Sequence, residues 1–128
     1  ITNEKLLAKI KRWYNGYSWN GKTFLYNPYS ILSYFDFGEF YNFWFEIGTP
    51  TFLLKIMEQQ KMVKVENLEV GDMAFLANNS EYFELIPLLF EAGYLSIKKK
   101  KENGLYVLDY PNLEVSNAMR KNIIRYQF

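Results

Sequence analysis

Residues 93–112 have the sequence GYLSIKKKKENGLYVLDYPN, which predicts a long β-hairpin. Two runs with strand character, Tyr94 to Lys100 and Leu105 to Tyr110, flank the pair Asn103-Gly104. Asn-Gly between two such runs signals a tight turn, because both residues tolerate a left-handed backbone. Pro111-Asn112 then ends the second strand.

A helix is predicted on each side of this hairpin. Residues 81–92 precede it, and a last helix runs from about Leu113 to Tyr126. Pro87 lies inside the first of these helices and is expected to kink or split it. A helix, a long hairpin and a helix together form the back half of a winged-helix-like module.

The first half of the chain is predicted to be mainly helical. Helices are expected over residues 3–14, with Asn3 as the cap, from Asn27-Pro28 to near Gly38, and from Thr49-Pro50 to about Gln60. A short hairpin around Asn20-Gly21 is expected over residues 17–26.

These patterns favour an α+β fold that is mainly α-helical. A helical lid-like region would occupy residues 1–62, and a winged-helix-like region with the hairpin 94–110 would occupy residues 63–128. Residues 61–79 give no clear pattern of either helix or strand.

Composition excludes several classes of site. The 128 residues contain no Cys and no His, which rules out disulfides, Cys/His zinc sites and catalytic triads built on His within this chain. No metal site or catalytic residue is predicted. Charge is segregated, at net +3 over residues 1–64, −6 over 65–97 and +4 over 98–128. No membrane span or signal peptide is visible, so we expect a cytoplasmic piece of a longer chain.

Residues 16–23, GYSWNGKT, match the phosphate-loop pattern GxxxxGK[ST] letter for letter. A phosphate loop must follow a buried strand and open a long helix. Here the string follows a helical pattern, and Pro28 comes soon after it. Tyr17 and Trp19 are also bulky where such a loop approaches a phosphate. We therefore interpret the string as a turn and not as a nucleotide site.

Five strings in order resemble the C-terminal part of the bacterial AAA-ATPase-like family. They are YNGY (14–17), YNPYS (26–30), FWFEIGTPTFL (43–53), LFEAGYLSI (89–97) and YPNLEV (110–115). Members of that family resemble P-loop ATPases and often carry a PD-(D/E)XK nuclease-like domain. No Asp or Glu of this chain is followed two positions later by Lys, so the nuclease signature is absent.

The resemblance implies a non-catalytic region that couples an upstream ATPase core to a downstream domain of the same chain. ATP and Mg²⁺ are then expected only at the upstream core, and a separate protein partner is a further expectation. The string around residue 46 supplies the interdomain-contact candidates Trp44, Phe45, Glu46 and Thr49. The alternative is that Trp44 and Phe45 are core residues, that Thr49 caps a helix and that Glu46 pairs with a nearby base.

The alternative function is nucleic-acid binding through Lys98, Lys99, Lys100 and Lys101 on the predicted hairpin. Strand alternation would place two of these lysines on each face. The helix of residues 81–92 carries acidic but no basic side chains, so its insertion into a DNA groove is not expected. The 11 Tyr, 11 Phe and 3 Trp either form an aromatic core or leave an exposed patch for a partner or for single-stranded bases.

Overall fold

The computed structural model describes residues 2–49, 51–59, 66–71 and 81–127. These residues form six helices and three strands, about half of the chain is helical, and the fold is therefore α+β. In chain order the elements are α1 (Asn3–Tyr14), α2 (Pro28–Phe37), α3 (Phe43–Gly48), α4 (Thr51–Gln59), β1 (Leu68–Val70), α5 (Glu81–Glu91), β2 (Ser96–Lys100), β3 (Tyr106–Asp109) and α6 (Leu113–Gln127).

Polar caps explain the boundaries of the first two helices. Thr2 caps α1, because its hydroxyl oxygen accepts a hydrogen bond at 3.2 Å from the backbone amide three residues later. The prediction that Asn3 is the cap was wrong, since Asn3 is already helical and Thr2 holds the extended conformation that a cap requires. Asn27 caps α2 as predicted, with its side chain accepting from the Ser30 amide at 3.2 Å, and α2 ends at Gly38.

The centre of the chain differs from the prediction. No sequence pattern predicted α3, which occupies residues 43–48. Thr49 ends this helix instead of opening the next one, because its amide donates at 3.2 Å to the carbonyl four residues earlier. The following helix, α4, begins at Thr51. Pro50 and Gln60, which bounded the predicted helix, lie outside the described residues.

The segment predicted as the first hairpin pairs with itself at one bridge, between Tyr17 and Leu25. The two sides of the segment do not pair further, and its first side, which we call the first arm, contacts β2. The Ile97 amide donates to the Ser18 carbonyl at 3.3 Å, and the Ser18 amide donates to Ser96 Oγ at 2.8 Å. This arm therefore covers the edge of β2 that β3 leaves open.

The three strands form one antiparallel sheet in the order β1-β3-β2. The long hairpin is confirmed as β2 and β3, although both strands are shorter than predicted. Tyr94 and Leu95 do not begin β2, because their amides donate to the Leu89 carbonyl and close the end of α5. The stretch 61–79 gave no pattern, and the structure describes residues 66–71 of it, which include β1.

The helix α5 runs through Pro87 without a break, so the expected split does not occur, whereas the expected kink stays a prediction. Its side chains Leu85, Ile86 and Leu89 are buried on both sides of the proline. Tertiary packing of this apolar face outweighs the single backbone hydrogen bond that proline cannot form.

Among the described residues, buried side chains form two clusters. The smaller cluster joins α1 to α2. The larger one joins α3 and α4 to the sheet, α5 and α6, so that Phe45 packs in the same cluster as Leu108. The division into residues 1–62 and 63–128 stays a prediction, and its boundary falls in residues 60–65, outside the described part.

We expect Gly16→Ala to lower the free energy of unfolding by about 1–3 kcal/mol more than Gly38→Ala, which is the usual cost of forcing an extra carbon into a packed site. Both glycines have positive φ, +102° and +75°, so both substitutions carry backbone strain. A Cβ at Gly16 would lie 1.9 Å from the Pro111 carbonyl oxygen, whereas no described atom lies within 4 Å of a Cβ at Gly38. Urea unfolding followed by circular dichroism measures both variants. Equal losses would contradict the packing of this loop against Pro111.

Candidate functional site

The four predicted interdomain-contact residues lie on α3 and at its end. Phe45 is 3% exposed and belongs to the core, whereas Glu46 is exposed. Trp44 is half-buried, and its ring centroid lies 5.2 Å from that of Tyr94. The Tyr94 hydroxyl donates to Thr49 Oγ1 at 2.9 Å. Tyr94 thus brings Trp44 and Thr49 together, while the contact role of the four residues stays a prediction.

A buried carboxylate, which was not among the predicted site residues, holds α3 in place. Glu114, in the first turn of α6, is fully buried. Its Oε2 accepts from the backbone amides of Trp44 and Phe45 at 2.8 and 3.2 Å, and its Oε1 accepts from the Ser30 hydroxyl at 2.7 Å. First-turn amides have no acceptor within their own helix, and Asn42 makes no side-chain cap for α3. Glu114 therefore caps α3 from α6 and also ties α2 to both helices.

Burial raises the pKa of Glu114 above its ordinary value of 4.5, although the hydrogen bonds from Ser30, Phe45 and Trp44 offset part of that effect. An acid whose pKa is raised by folding contributes stability at pH values below its unfolded pKa. That contribution is lost as the pH rises through the folded pKa. Burial also raises the pKa of the Tyr94 phenol, which therefore stays protonated and donates to Thr49 at neutral pH.

Lys98 is half-buried, and its ammonium group is directed toward the fold. A bulge between Ile97 and Lys99 interrupts strand alternation at this residue, so the expected division of two lysines to each face fails here. Its Nζ donates to the Pro111 carbonyl at 2.8 Å and lies 3.5 Å from the Gly16 carbonyl oxygen. Burial lowers the pKa of Lys98. This lysine joins the loop after α1 to the start of α6.

The other three lysines lie toward the hairpin tip. Lys101 forms an ion pair with Glu69 of β1. Lys100 Nζ lies 5.3 Å from the centroid of the Tyr106 ring. Lys99 and Lys100 are exposed. A contact of this hairpin with phosphates would therefore depend mainly on Lys99 and Lys100.

The phosphate-loop-like string 16–23 does not fit a phosphate. The four successive amides of residues 20–23 donate to the side-chain oxygens of Ser18 and Asn20 at distances of 2.8 to 3.3 Å. The N–H groups that would wrap a phosphate therefore already have acceptors within the loop. The string also follows the helix α1 and not a strand. This geometry supports its interpretation as a turn.

An exposed apolar surface lies on the outer side of α2 and α3. Phe37 is 74% exposed and Ile47 is 66% exposed. The ring centroid of Phe43 lies 5.8 Å from that of Phe37 and 5.5 Å from that of Tyr41. Ile47 is one helical turn after Phe43 and so lies on the same side of α3. We call Phe37, Tyr41, Phe43 and Ile47 the α2–α3 face.

One sequence signal pointed to Glu114 and was missed. The buried side of α6 includes Val115, Ala118 and Met119. Glu114 falls on the same side, since it lies one turn before Ala118. An acidic residue within an apolar helical stripe requires a partner, and that partner is α3. No comparable pattern in the sequence indicated that Phe37 and Ile47 are exposed.

The described ranges contain neither a group of metal ligands nor a membrane-spanning helix. Within residues 2–49, 51–59, 66–71 and 81–127, no three His, Cys, Asp or Glu side chains are grouped closely enough to hold a metal ion. In the same part of the chain, no helix has the length and apolarity needed to cross a membrane. The expectation of ATP and Mg²⁺ at an upstream core stays a prediction.

Comparison with known proteins identifies a longer relative. An uncharacterized protein in the vnfD 5' region of Azotobacter chroococcum mcd 1 is 36% identical to this chain over 121 residues. The match covers 91% of this chain and 23% of that protein, so the chain spans about a quarter of its relative's length. No protein-family model matches the chain, and no solved structure matches it.

We expect Glu114→Met to lower the free energy of unfolding by at least about 2 kcal/mol, because Met fills the space but leaves the buried amides of Trp44 and Phe45 without an acceptor. Glu114→Gln should cost less than about 1 kcal/mol, since its carbonyl can accept from both amides while its NH₂ donates to Ser30. Urea unfolding at neutral pH measures both variants. Equally small losses from both variants would contradict this role, since they would show that filling the space is sufficient.

Proposed function

We propose that this chain is a non-catalytic interaction module, the lid and winged-helix-like part of an AAA-ATPase-like protein. In this proposal it docks onto another domain of the same protein, the ATPase core upstream, and couples that core to a downstream domain. The α2–α3 face is the observation that carries the proposal. The five sequence strings support the family, and the described structure supports docking.

The arrangement of the second half supports the winged-helix-like part of the proposal. A helix (α4) precedes β1, and α5 leads directly into the hairpin of β2 and β3. The last strand, β3, lies between the other two, and both pairings are antiparallel. Helix, hairpin and helix therefore follow each other in the order that the sequence predicted for such a module.

The α2–α3 face has the properties of a docking surface. Its neighbouring aromatic side chains bring apolar area to the surface, and covering that area is favourable. Exposed Glu46 supplies a polar group near this face. The hydrogen bonds from Trp44 and Phe45 to Glu114 hold α3 rigidly against α6, so little ordering cost remains for binding.

The length of the relative supports an occupant from the same protein. More than three quarters of the Azotobacter protein lies outside the matched region, since the match covers 23% of it. A region joined by its own chain to a docking partner experiences a high effective concentration of that partner. The covalent link therefore adds to the affinity that the α2–α3 face has for its partner.

Nucleic-acid binding remains the alternative proposal, and the exposure of Lys99 and Lys100 supports it. Lys98 and Lys101 are already engaged with Pro111 and Glu69. Such binding would weaken steeply as salt rises, whereas apolar docking would not. Salt dependence therefore distinguishes the two proposals.

The test uses the remainder of the Azotobacter relative, expressed separately, and a fluorescently labelled form of this chain. We expect saturable binding by anisotropy that changes less than about threefold between low and high salt. The double variant Phe37→Ser/Ile47→Ser should bind at least about tenfold more weakly, because both side chains lie in the α2–α3 face.

Leu7→Ser/Leu32→Ser is the matched control, since these two leucines are about as exposed but lie outside the α2–α3 face. This control should bind like the wild type. The proposal is contradicted if the wild type does not bind, or if both double variants lose affinity equally. Salt-sensitive binding of DNA that requires Lys99 and Lys100 would replace it with the nucleic-acid alternative.

A further inference from the structure

A cleft of about 250 Å³ opens between the loop after α1 and the C-terminal end of α5. Five aromatic side chains line it: Tyr17, Trp19, Tyr26, Trp44 and Phe90. We call it the aromatic cleft. It is separate from the α2–α3 face, and the inference below does not rest on the docking proposed above.

Two of the rings are held in place before any ligand arrives. The Tyr17 hydroxyl accepts from Asn27 Nδ2 at 3.4 Å, and the Trp44 ring packs against Tyr94. A Cβ added at Gly93 would lie 3.5 Å from the Trp44 ring and 3.8 Å from the Tyr17 ring. The two rings therefore flank a small space over Gly93 that a methyl-sized group fills at van der Waals distance.

The charge around the cleft favours a cation. Of the described side chains that line it, Glu91 is the one that carries a charge. Glu91 is also the last residue of α5, where the helix dipole places its negative end. The carboxylate of Glu91 and the negative end of the helix dipole therefore both make the electrostatic potential in the cleft more negative. Aromatic faces attract cations as well, whereas phosphate-bearing ligands would be repelled.

The polar side chains of the lining are already engaged in hydrogen bonds. Ser18 Oγ accepts from the amides of Asn20 and Gly21. Ser96 Oγ accepts from the Ser18 amide and donates to the Gly16 carbonyl. A primary ammonium brings three N–H donors, whereas the charged acceptor of the described lining is the single carboxylate of Glu91. An ammonium whose hydrogens are replaced by methyl groups needs no acceptor.

We propose that the aromatic cleft binds a quaternary or trimethylated ammonium group. Its volume lies below the range of about 300–1,000 Å³ that drug-sized ligands occupy, so the cleft suits one headgroup and not a large molecule. The group belongs either to a free choline-like amine or to a trimethylated lysine of a protein. Exposed Trp19 and Tyr26 form the outer wall, where they can close over the cation.

The test follows tryptophan fluorescence during titration with three probes. Choline represents the free amine, and N-acetyl-trimethyllysine amide represents the protein side chain. Dimethylbutanol, the isostere of choline in which carbon replaces nitrogen, is the neutral control. We expect saturable binding of at least one ammonium probe, at least about tenfold tighter than binding of the neutral isostere. The tighter ammonium probe identifies the source of the ligand.

Two surface variants localise the binding. Trp19→Leu should weaken ammonium binding at least about fivefold, and it should not affect folding because Trp19 is 70% exposed. Glu91→Gln should weaken binding of the cation but not of the neutral isostere. Tyr29→Leu and Glu102→Gln are matched controls, since both residues are exposed and neither lines the cleft. Both should bind like the wild type.

Four results would overturn the proposal. They are the absence of saturable binding of both ammonium probes, equal affinity for choline and its neutral isostere, wild-type affinity of both cleft variants, and equal weakening by the control variants. Tight binding of single-stranded DNA that requires Trp19 and excludes choline would instead assign the cleft to base stacking.

Discussion

The buried carboxylate of Glu114 is the interaction on which the centre of this structure depends. The helix α3 has six residues, which is too short to persist alone, and two of its first-turn amides have no acceptor of their own. Glu114 accepts from both amides and from Ser30. As a result, Phe45 enters the core, Trp44 reaches the aromatic cleft, and the opposite side of α3 remains exposed. Both surfaces for which we propose functions therefore depend on one side chain of α6.

A second set of contacts joins the loop after α1 to the second half of the chain. Ser96 accepts from the Ser18 amide and donates to the Gly16 carbonyl, and Asn112 Nδ2 donates to the Asn15 carbonyl at 2.8 Å. Together with the Ile97 amide, which donates to the Ser18 carbonyl, the Ser96 bonds cover part of the outer edge of β2, where unpaired backbone groups would otherwise invite pairing with another chain. They also place Tyr17 opposite Trp44, so the same contacts that protect the sheet form one wall of the cleft.

Local signals in the sequence predicted the elements whose ends are set locally. Asn27 and Gly38 bound α2, and Asn103-Gly104 lies in the hairpin turn, because caps and turns involve neighbouring residues. The elements α3 and β1 were missed, since one depends on an acceptor about 70 positions away and the other on pairing with β3. Trp44 was identified as part of a distinctive string. Glu114 was not, because the burial of a charge depends on which helices meet around it.

Native-state hydrogen exchange of the Trp44 and Phe45 amides tests the role of Glu114 most directly. First-turn amides of a short helix ordinarily exchange rapidly, because they lack an acceptor. If Glu114 holds α3 as described, both amides exchange only through global unfolding, with an opening free energy equal to the unfolding free energy of the domain. Exchange of these two amides at the rate of unprotected backbone would contradict this role, and α3 would then have to be held by side-chain packing alone.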